Sequence, residues 1–310
     1  MCGFPKNLVY VFVDLVCVLI VALPIIILKF AGQPSQRGFF CDDQTISYPF
    51  HESTVPTWML VIFGGGIPVL CMLVGEAVFI SRSTKSEGEE TKKFPFLPYF
   101  VRVYKTVGIF LFGVLSTQCL TDIFKFTIGR LRPNFLSVCA PDYSTFNCTD
   151  DMGRYVYVTD YVCTGDPQET KESRLSFVSG HASMSFFCMV YLVLYLQVRI
   201  KWRQSWLLKP FLQVLAVILA QLTMLSRITD NKHHWSDVLA GSALGTFMAI
   251  LVGLSVSDLF PKTWRKLDQS VAPKGTTPRL EEEEEDKLEA VAVDNGENGK
   301  RNSQGMTTIM

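Results

Sequence analysis

Six long apolar segments constrain the fold of this chain more than any other feature. Each has about 20 residues, the length that a helix needs to cross the roughly 30 Å hydrocarbon core of a bilayer. They cover residues 8–30, 57–80, 103–124, 177–198, 207–226 and 238–260. We therefore predict an all-α, polytopic membrane protein with six transmembrane helices.

The composition agrees with a membrane protein and argues against two other classes. The chain has 310 residues, 48% of them hydrophobic, which is too apolar for an ordinary soluble protein of this length. A soluble helical bundle needs charged faces at helical spacing, and stretches such as VLIVALPIIIL offer none. Because the formal net charge is zero, we expect no nucleic-acid partner.

The positions of Lys and Arg predict the orientation of the spans. The connection 199–209 carries four basic residues and no acidic one, and further basic residues follow the last span. Short loops rich in Lys and Arg stay in the cytoplasm. With six spans, both termini are then cytoplasmic, and the first span is a retained anchor because it is longer than the core of a cleaved signal peptide. The predicted extracellular or lumenal loops are 31–56, 125–176 and 227–237.

The predicted outer loops carry features of an oxidising, glycosylating compartment. Asn147-Cys148-Thr149 is an acceptor sequence for N-linked glycan. Four of the nine cysteines lie in these loops, where disulfides are favoured: Cys41, Cys139, Cys148 and Cys163. Four cysteines allow three pairings, and the sequence does not choose between them.

The C-terminal segment differs in character from the rest of the chain. After residue 262 it contains EEEEED and DNGENGKRNSQG and has few large apolar residues. Such a composition cannot bury enough surface to fold. We predict a membrane domain over residues 1–262 and a disordered, acidic cytoplasmic tail over 263–310.

A first charged cluster lies in SRITDNKHHWSDVLAG, at the outer end of the last span. A charged residue here is costly unless it has a partner or a function. His233 and Asp237 are four residues apart, which on a helix places them on one face. The carboxylate can then bind one ring nitrogen and leave the other as nucleophile or base. We assign His234 a structural role.

A second charged cluster, DIFKFTIGRLRPNF, closes the third span on the same side. Lys125 and Arg132 are seven residues apart, so both can project from one helical face, with Pro133 ending the helix. Arg130 lies off this line, and we assign it to a surface or headgroup contact. Snorkelling to the headgroups would explain any one of these cations.

A third cluster, SFVSGHASMSFF, opens the fourth span, again on the outer side. Ser179 is predicted as the N-cap, which leaves the amides of Gly180 and His181 available to an anion at a helix N-terminus. With Arg227, the three clusters combine three cations, backbone donors, two histidines and a carboxylate. This set suits the displacement of a phosphate group, whose equatorial oxygens need positive charge and whose leaving oxygen needs a proton.

The three clusters match, in order, the signature blocks of the type 2 phosphatidic acid phosphatase superfamily. The blocks are Lys125-x6-Arg132-Pro133, Ser179-Gly180-His181 and Ser226-Arg227-x5-His233-x3-Asp237. The resemblance covers residues 1 to about 260, and RGFFCDD, IGRLRPNFLSVC and KHHWSDVLAG are similar to the animal lipid phosphate phosphatases. Val178 departs from the Pro of many superfamily members, but animal lipid phosphatases often vary there.

The resemblance implies a mechanism and a set of roles. His233 would attack phosphorus to form a phosphohistidine, Asp237 would orient it, and His181 would protonate the leaving alcohol and then activate water. The implied phosphate-binding residues are Lys125, Arg132, Ser179, Gly180 and Arg227. No metal or other cofactor is implied, in line with the lack of a convergent carboxylate set in the sequence.

The substrate expected from these features is a lipid phosphomonoester. The loop between the last two spans has only about ten residues, so the reacting phosphate must lie at headgroup depth. By resemblance, phosphatidate, lysophosphatidate, sphingosine 1-phosphate and ceramide 1-phosphate are candidates, and their hydrolysis would attenuate lipid signalling. The sequence selects neither among these lipids, nor between plasma membrane and endomembrane, nor an oligomeric state.

Three alternative interpretations carry their own sequence signals. A catalytically silent relative that binds lipid phosphate or mediates adhesion would be expected to lack some of the charged residues, and this chain has all of them. A vanadate-dependent haloperoxidase has a similar anion pocket but is soluble. A lipid phosphotransferase, which moves phosphorus to an alcohol instead of water, is the nearest alternative enzyme.

Overall fold

The structure is a computed structural model that describes residues 6–83, 97–199 and 206–255. In these ranges it contains helices and isolated β-bridges but no strands. Six helices are long and apolar enough to cross a membrane, which confirms the predicted fold class. The predicted tail, 263–310, and its boundary lie outside the described residues.

The described helical elements follow one another along the chain, and the longest connections between α-helices cover residues 31–56 and 140–166. The first span is α1 (Lys6–Phe30), and the second joins α2 (Thr57–Met59), a π-helical segment (Leu60–Gly66) and α3 (Ile67–Ser83). The other four spans are α4 (Leu97–Ile128), α7 (Gly180–Arg199), α8 (Leu208–Thr229) and α9 (Trp235–Ser255). Two short helices, α5 (Phe135–Cys139) and α6 (Pro167–Ser173), lie between α4 and α7.

Helix α7 is the centre of the bundle and packs against α3, α4, α8 and α9. Its contact with α9 is close because two glycines of α9 face its backbone. A β-carbon at Gly241 would lie 2.6 Å from the carbonyl oxygen of Ser179, and one at Gly245 would collide with the carbonyl oxygen of Ser183. Small residues at such positions let two membrane helices approach each other. The starts of α7 and α9 are thereby held side by side.

A buried cluster of charged and polar side chains links three helices at the end of the bundle opposite the starts of α7 and α9. The carboxylate of Glu76, on α3, is fully buried and lies 3.0 Å from the Arg199 guanidinium at the end of α7. Tyr195 donates a hydrogen bond to the same carboxylate at 3.3 Å, and Thr106 of α4 does so at 3.4 Å. A buried carboxylate requires such partners, so the cluster ties α3, α4 and α7 together.

The connections before α2 and between α4 and α7 form a cap at the opposite end. Two disulfides, Cys41–Cys148 and Cys139–Cys163, select one of the three pairings that the sequence left open. The first of them joins the two connections to each other. Phe39 and Phe135 pack in a small apolar core under the cap, with their rings in an edge-to-face contact.

Helix α4 ends five residues earlier than the sequence predicted. It ends at Ile128 instead of Pro133, because Gly129 adopts a left-handed conformation with φ of 59°. Ser35 donates hydrogen bonds to two carbonyl groups of the last turn, from its amide to Phe126 and from its hydroxyl to Thr127. Arg130 and Arg132 therefore lie in an irregular segment that can bend back over the end of the bundle.

Candidate active site

The three sequence clusters meet at the capped end of the bundle and are joined by backbone hydrogen bonds. The amide of Ser179 donates to the carbonyl of Asp237 at 3.0 Å, and the amide of Ser176 donates to the carbonyl of Arg130 at 3.0 Å. The amide of His233 donates to the carbonyl of Arg227 at 3.2 Å. The segments before α7 and α9 and after α4 and α8 thus form one site.

His233 is held in a single tautomer by the backbone. The residue is only 4% exposed, and its Nδ1 lies 2.7 Å from the carbonyl oxygen of Ser176. A carbonyl oxygen can only accept, so Nδ1 must carry the proton and Nε2 must carry the lone pair. Nε2 has no hydrogen-bond partner among the described residues. In the neutral ring, Nε2 therefore carries a lone pair that no described residue uses.

The expected hydrogen bond between Asp237 and His233 is absent from the described residues, and that prediction is wrong. Helix α9 begins only at Trp235, so His233 precedes it and the two side chains do not stack on one helical face. The Asp237 carboxylate instead accepts hydrogen bonds from the Ser176 hydroxyl at 2.5 Å and from the His234 amide at 3.1 Å. Asp237 reaches His233 only through Ser176, whose hydroxyl binds Asp237 and whose carbonyl binds His233.

Arg130 was assigned to a surface or headgroup contact, and that prediction is also wrong. Its guanidinium lies 2.5 Å from the fully buried carboxylate of Asp237 and donates to the hydroxyl of Ser236 at 2.8 Å. The signal in the sequence was Asp237 itself, because a carboxylate buried at the start of a span needs a cation. His234 Nδ1 lies 3.2 Å from the same carboxylate, which is consistent with a structural role.

His181 occupies the first turn of α7, where the sequence placed it. Helix α7 begins at Gly180, and the Ser179 hydroxyl lies 3.5 Å from the amide of Ala182, a long N-capping contact. The Nε2 of the His181 ring is buried without a partner among the described residues. Buried polar atoms are normally paired, so this nitrogen is available to a ligand.

Two of the three predicted cations face the same space as the histidines. Lys125 lies against the start of α7, where a β-carbon on Gly180 would be 3.4 Å from its Nζ. Arg132 is mostly buried, lies 3.4 Å from the carboxylate of Glu172, and has an Nε without a partner in the described residues. Both cations therefore keep hydrogen-bonding capacity for an anion.

Arg227 is the predicted cation that is most engaged by the protein. Its Nη2 lies 2.7 Å from the carboxylate of Asp230 and 3.1 Å from the hydroxyl of Ser226. Its Nη1 lies 3.3 Å from the hydroxyl of Ser53. Asp230 in turn accepts from the amide and hydroxyl of Thr54, so Arg227 also fastens the connection before α2 to the site.

The electrostatics of the site favour a neutral His233. Burial lowers its pKa well below the usual value of 6.5, and the positive charges of Arg132 and Lys125 lower the pKa further. The ring is therefore uncharged near neutral pH. Lys232, which the sequence analysis did not single out, adds a buried cation whose Nζ lies 3.7 Å from the centre of the Phe50 ring.

The fold and site define a multi-pass membrane protein with two imidazoles beside buried cations. Residues 106–260 match the family model described as the PAP2 superfamily, which is half of the chain. The chain belongs to this superfamily, and the resemblance drawn from the three signature blocks is confirmed. No solved structure matches it.

Curated relatives match most of the chain. It is 45% identical to phospholipid phosphatase 1 of Mus musculus over 83% of this chain and 88% of the relative. It is 43% identical to a putative phosphatidate phosphatase of Drosophila melanogaster over 86% of this chain and 73% of the relative. It is 40% identical to phospholipid phosphatase 2 of Rattus norvegicus over 82% of this chain and 88% of the relative.

Proposed function

We propose that this protein hydrolyses lipid phosphomonoesters to the dephosphorylated lipid and phosphate, through a phosphohistidine and without a metal ion. The observation that carries the proposal is the buried, neutral His233, whose Nε2 has no partner among the described residues and lies in a pocket with Lys125 and Arg132. The names of the relatives, phospholipid phosphatase and phosphatidate phosphatase, support this class of reaction.

In the first step, His233 Nε2 attacks phosphorus and the bond from phosphorus to the alkoxy oxygen breaks. His181 donates its Nε2 proton to that oxygen, so the lipid leaves as a neutral alcohol. The attacking nitrogen becomes positively charged, and the proton on Nδ1 remains bound to the Ser176 carbonyl. The products of this step are the free lipid and a phosphohistidine.

In the second step, His181 accepts a proton from a water molecule whose oxygen attacks phosphorus. The bond between phosphorus and Nε2 breaks, the electron pair returns to His233, and inorganic phosphate leaves. His181 recovers its proton in this step, so the enzyme returns to its starting state. One residue thus acts as acid and then as base.

The remaining site residues stabilise charge and fix geometry. Lys125, Arg132 and Arg227, with the Ser179 hydroxyl and the Gly180 amide, would bind the equatorial phosphate oxygens, whose charge needs fixed donors in the transition state. Asp237 would position His233 through Ser176, in place of the direct contact expected from the sequence. Side-chain cations would provide the charge stabilisation for which other phosphatases use divalent ions.

The reaction is proposed to take place at the extracellular or lumenal surface of the membrane. The site lies where spans begin and end, so a phosphate at headgroup depth fits it, and phosphatidate, lysophosphatidate, sphingosine 1-phosphate and ceramide 1-phosphate are the proposed substrates. We place the site on the extracellular or lumenal side of the plasma membrane or an endomembrane, with both termini cytoplasmic. Dephosphorylation there would attenuate lipid signalling.

The test is phosphate release from a radiolabelled lipid phosphate by the purified protein in detergent. We expect free phosphate in excess EDTA, inhibition by vanadate, and no product with His233→Ala. A label that moves to an added lipid alcohol would identify a phosphotransferase instead. Activity that chelation removes and Mg²⁺ restores would contradict the metal-free mechanism.

A further inference from the structure

Lys232 is a buried cation that is not among the residues of the three signature blocks. It directly precedes His233 in the chain and is only 8% exposed. Its ammonium group lies 3.7 Å from the centre of the Phe50 ring. In the part of the chain that the structure describes, Lys232 has no ion pair and its side chain makes no hydrogen bond. A buried charge normally has a partner of opposite charge, so the fold alone does not account for this one.

The backbone brings Lys232 back to the end of α8, where Arg227 lies. Asn231 adopts a left-handed conformation with φ of 54°, which asparagine tolerates better than most residues do. The chain therefore reverses, and the amides of Lys232 and His233 both donate to the carbonyl of Arg227, at 3.1 and 3.2 Å. Lys232 thus belongs to the same tight turn as a predicted phosphate-binding residue and the proposed nucleophile.

The connection before α2 supplies the aromatic ring on which Lys232 rests. The side-chain amide of Asn231 donates to the carbonyl of Pro49 at 3.1 Å, which fixes Phe50 beside the turn. The face of an aromatic ring attracts a cation. It takes up none of the N–H donors of the ammonium group in a full hydrogen bond, so these donors remain available to oxygen atoms. Lys232 is therefore oriented by the ring and still able to bind an anion.

Two predicted phosphate-binding cations act on Lys232 electrostatically. Burial lowers the pKa of Lys232, and the positive charges of Arg132 and Arg227 lower it further. Glu169 and Asp230 raise it, but Asp230 already lies 2.7 Å from the Arg227 guanidinium. Cations collected in one place repel one another, and an anion bound among them removes that repulsion.

We propose that Lys232 is a further phosphate-binding residue of this site and donates to an oxygen of the bound phosphoryl group. The inference rests on the proposed function and adds a residue to it. Lys125 reaches the site from α4, whereas Lys232 reaches it from the turn after α8, so the two ammonium groups approach the phosphate from different elements. An additional cation favours a phosphomonoester, which carries a charge of about −2, over a diester with a single charge.

The test removes the charge of Lys232 and keeps an apolar side chain of similar length. We expect Lys232→Met to weaken vanadate binding about tenfold, followed by thermal shift in detergent, and to raise KM for lysophosphatidate with a smaller change in kcat. Lys232→Arg should retain most of the affinity, since it keeps the charge. The matched control is Lys171→Met, which removes another lysine that lies over a ring, 5.8 Å from the centre of Phe126. It should match the wild type.

The melting temperature without ligand separates phosphate binding from a structural role. Lys232→Met should be as stable as the wild type or more stable, because the repulsion from Arg132 is lost and the thioether can still contact the Phe50 ring. A lower melting temperature, a variant that does not fold, or unchanged vanadate affinity would each overturn the proposal. The proposed function fails by a different result, which is a wild type that releases no phosphate from any lipid.

Discussion

At the scale of single residues, the two histidines have different surroundings that predict different roles. The Ser176 carbonyl fixes the His233 tautomer, whereas the His181 Nε2 is buried without a partner in the described residues. In the proposed mechanism, the free nitrogen of His233 attacks phosphorus and that of His181 exchanges a proton. The activity lost on substituting each histidine should therefore depend differently on the leaving group of the substrate.

We expect His181→Ala to lose about a hundredfold or more of its activity on a lipid phosphate, whose alkoxide needs a proton to leave. The loss should be smaller on nitrophenyl phosphate, because nitrophenolate leaves with little acid help. His233→Ala should show no such recovery, since it lacks the nucleophile. The measurement is kcat/KM for both substrates with both variants. Equal losses on the two esters with His181→Ala would contradict the acid role.

The link from Arg130 through Asp237 and Ser176 to His233 predicts a positioning role for Arg130. We expect Arg130→Ala to lower kcat about tenfold with a smaller change in KM, because Asp237 would keep its charge without its cation. Arg130→Lys should restore part of the rate. The control is Arg154→Ala, which removes an exposed ion pair with Asp150 in the cap. A pure rise in KM with Arg130→Ala would place Arg130 on the phosphate instead.

The sequence predicted which residues meet at the site better than it predicted their contacts. The spacing and order of the motifs predicted that Lys125, His181 and His233 lie together, and the structure places them near one another. The contact between Asp237 and His233 was inferred from a helical spacing of four, and it failed because α9 starts after His233. The actual partner of His233 is the backbone of Ser176, 57 residues away, which no local pattern reveals.

At the scale of elements, the contact between α7 and α9 positions both halves of the site. A β-carbon at Gly245 would collide with the Ser183 carbonyl, whereas one at Gly108 on α4 meets nothing within 4 Å. We expect Gly245→Ala to lower the thermal stability and the activity, because α9 must shift away from α7. Gly108→Ala should leave both unchanged or raise stability slightly, since alanine favours helix. Thermal unfolding and lipid hydrolysis of the two variants test this.

The lengths of the apolar segments predicted the spans well, because the thickness of the bilayer fixes how long a membrane-spanning helix must be. The ends of the spans were less predictable. Helix α4 ends at Ile128, before the left-handed Gly129, and Ser35 from a distant connection donates hydrogen bonds to carbonyl groups of its last turn. The pairing of Cys41 with Cys148 likewise depends on two connections meeting in the cap.

At the scale of the whole molecule, the cap and the active site share one end of the bundle, so the location of one gives that of the other. Asn147 is exposed on the cap. We expect it to carry a glycan in animal cells, which Asn147→Gln would remove as a mobility shift sensitive to endoglycosidase while activity is retained. An unglycosylated wild type would count against the outward orientation.

The central claim is that the phosphoryl group passes through His233. Purified protein is mixed with a lipid labelled in its phosphate, quenched rapidly in alkali, and digested. Phosphohistidine survives alkali and acyl phosphates do not, so the label should be recovered on the peptide that contains His233. It should be absent from His233→Ala. Label on Asp237, or label retained by His233→Ala, would contradict the account.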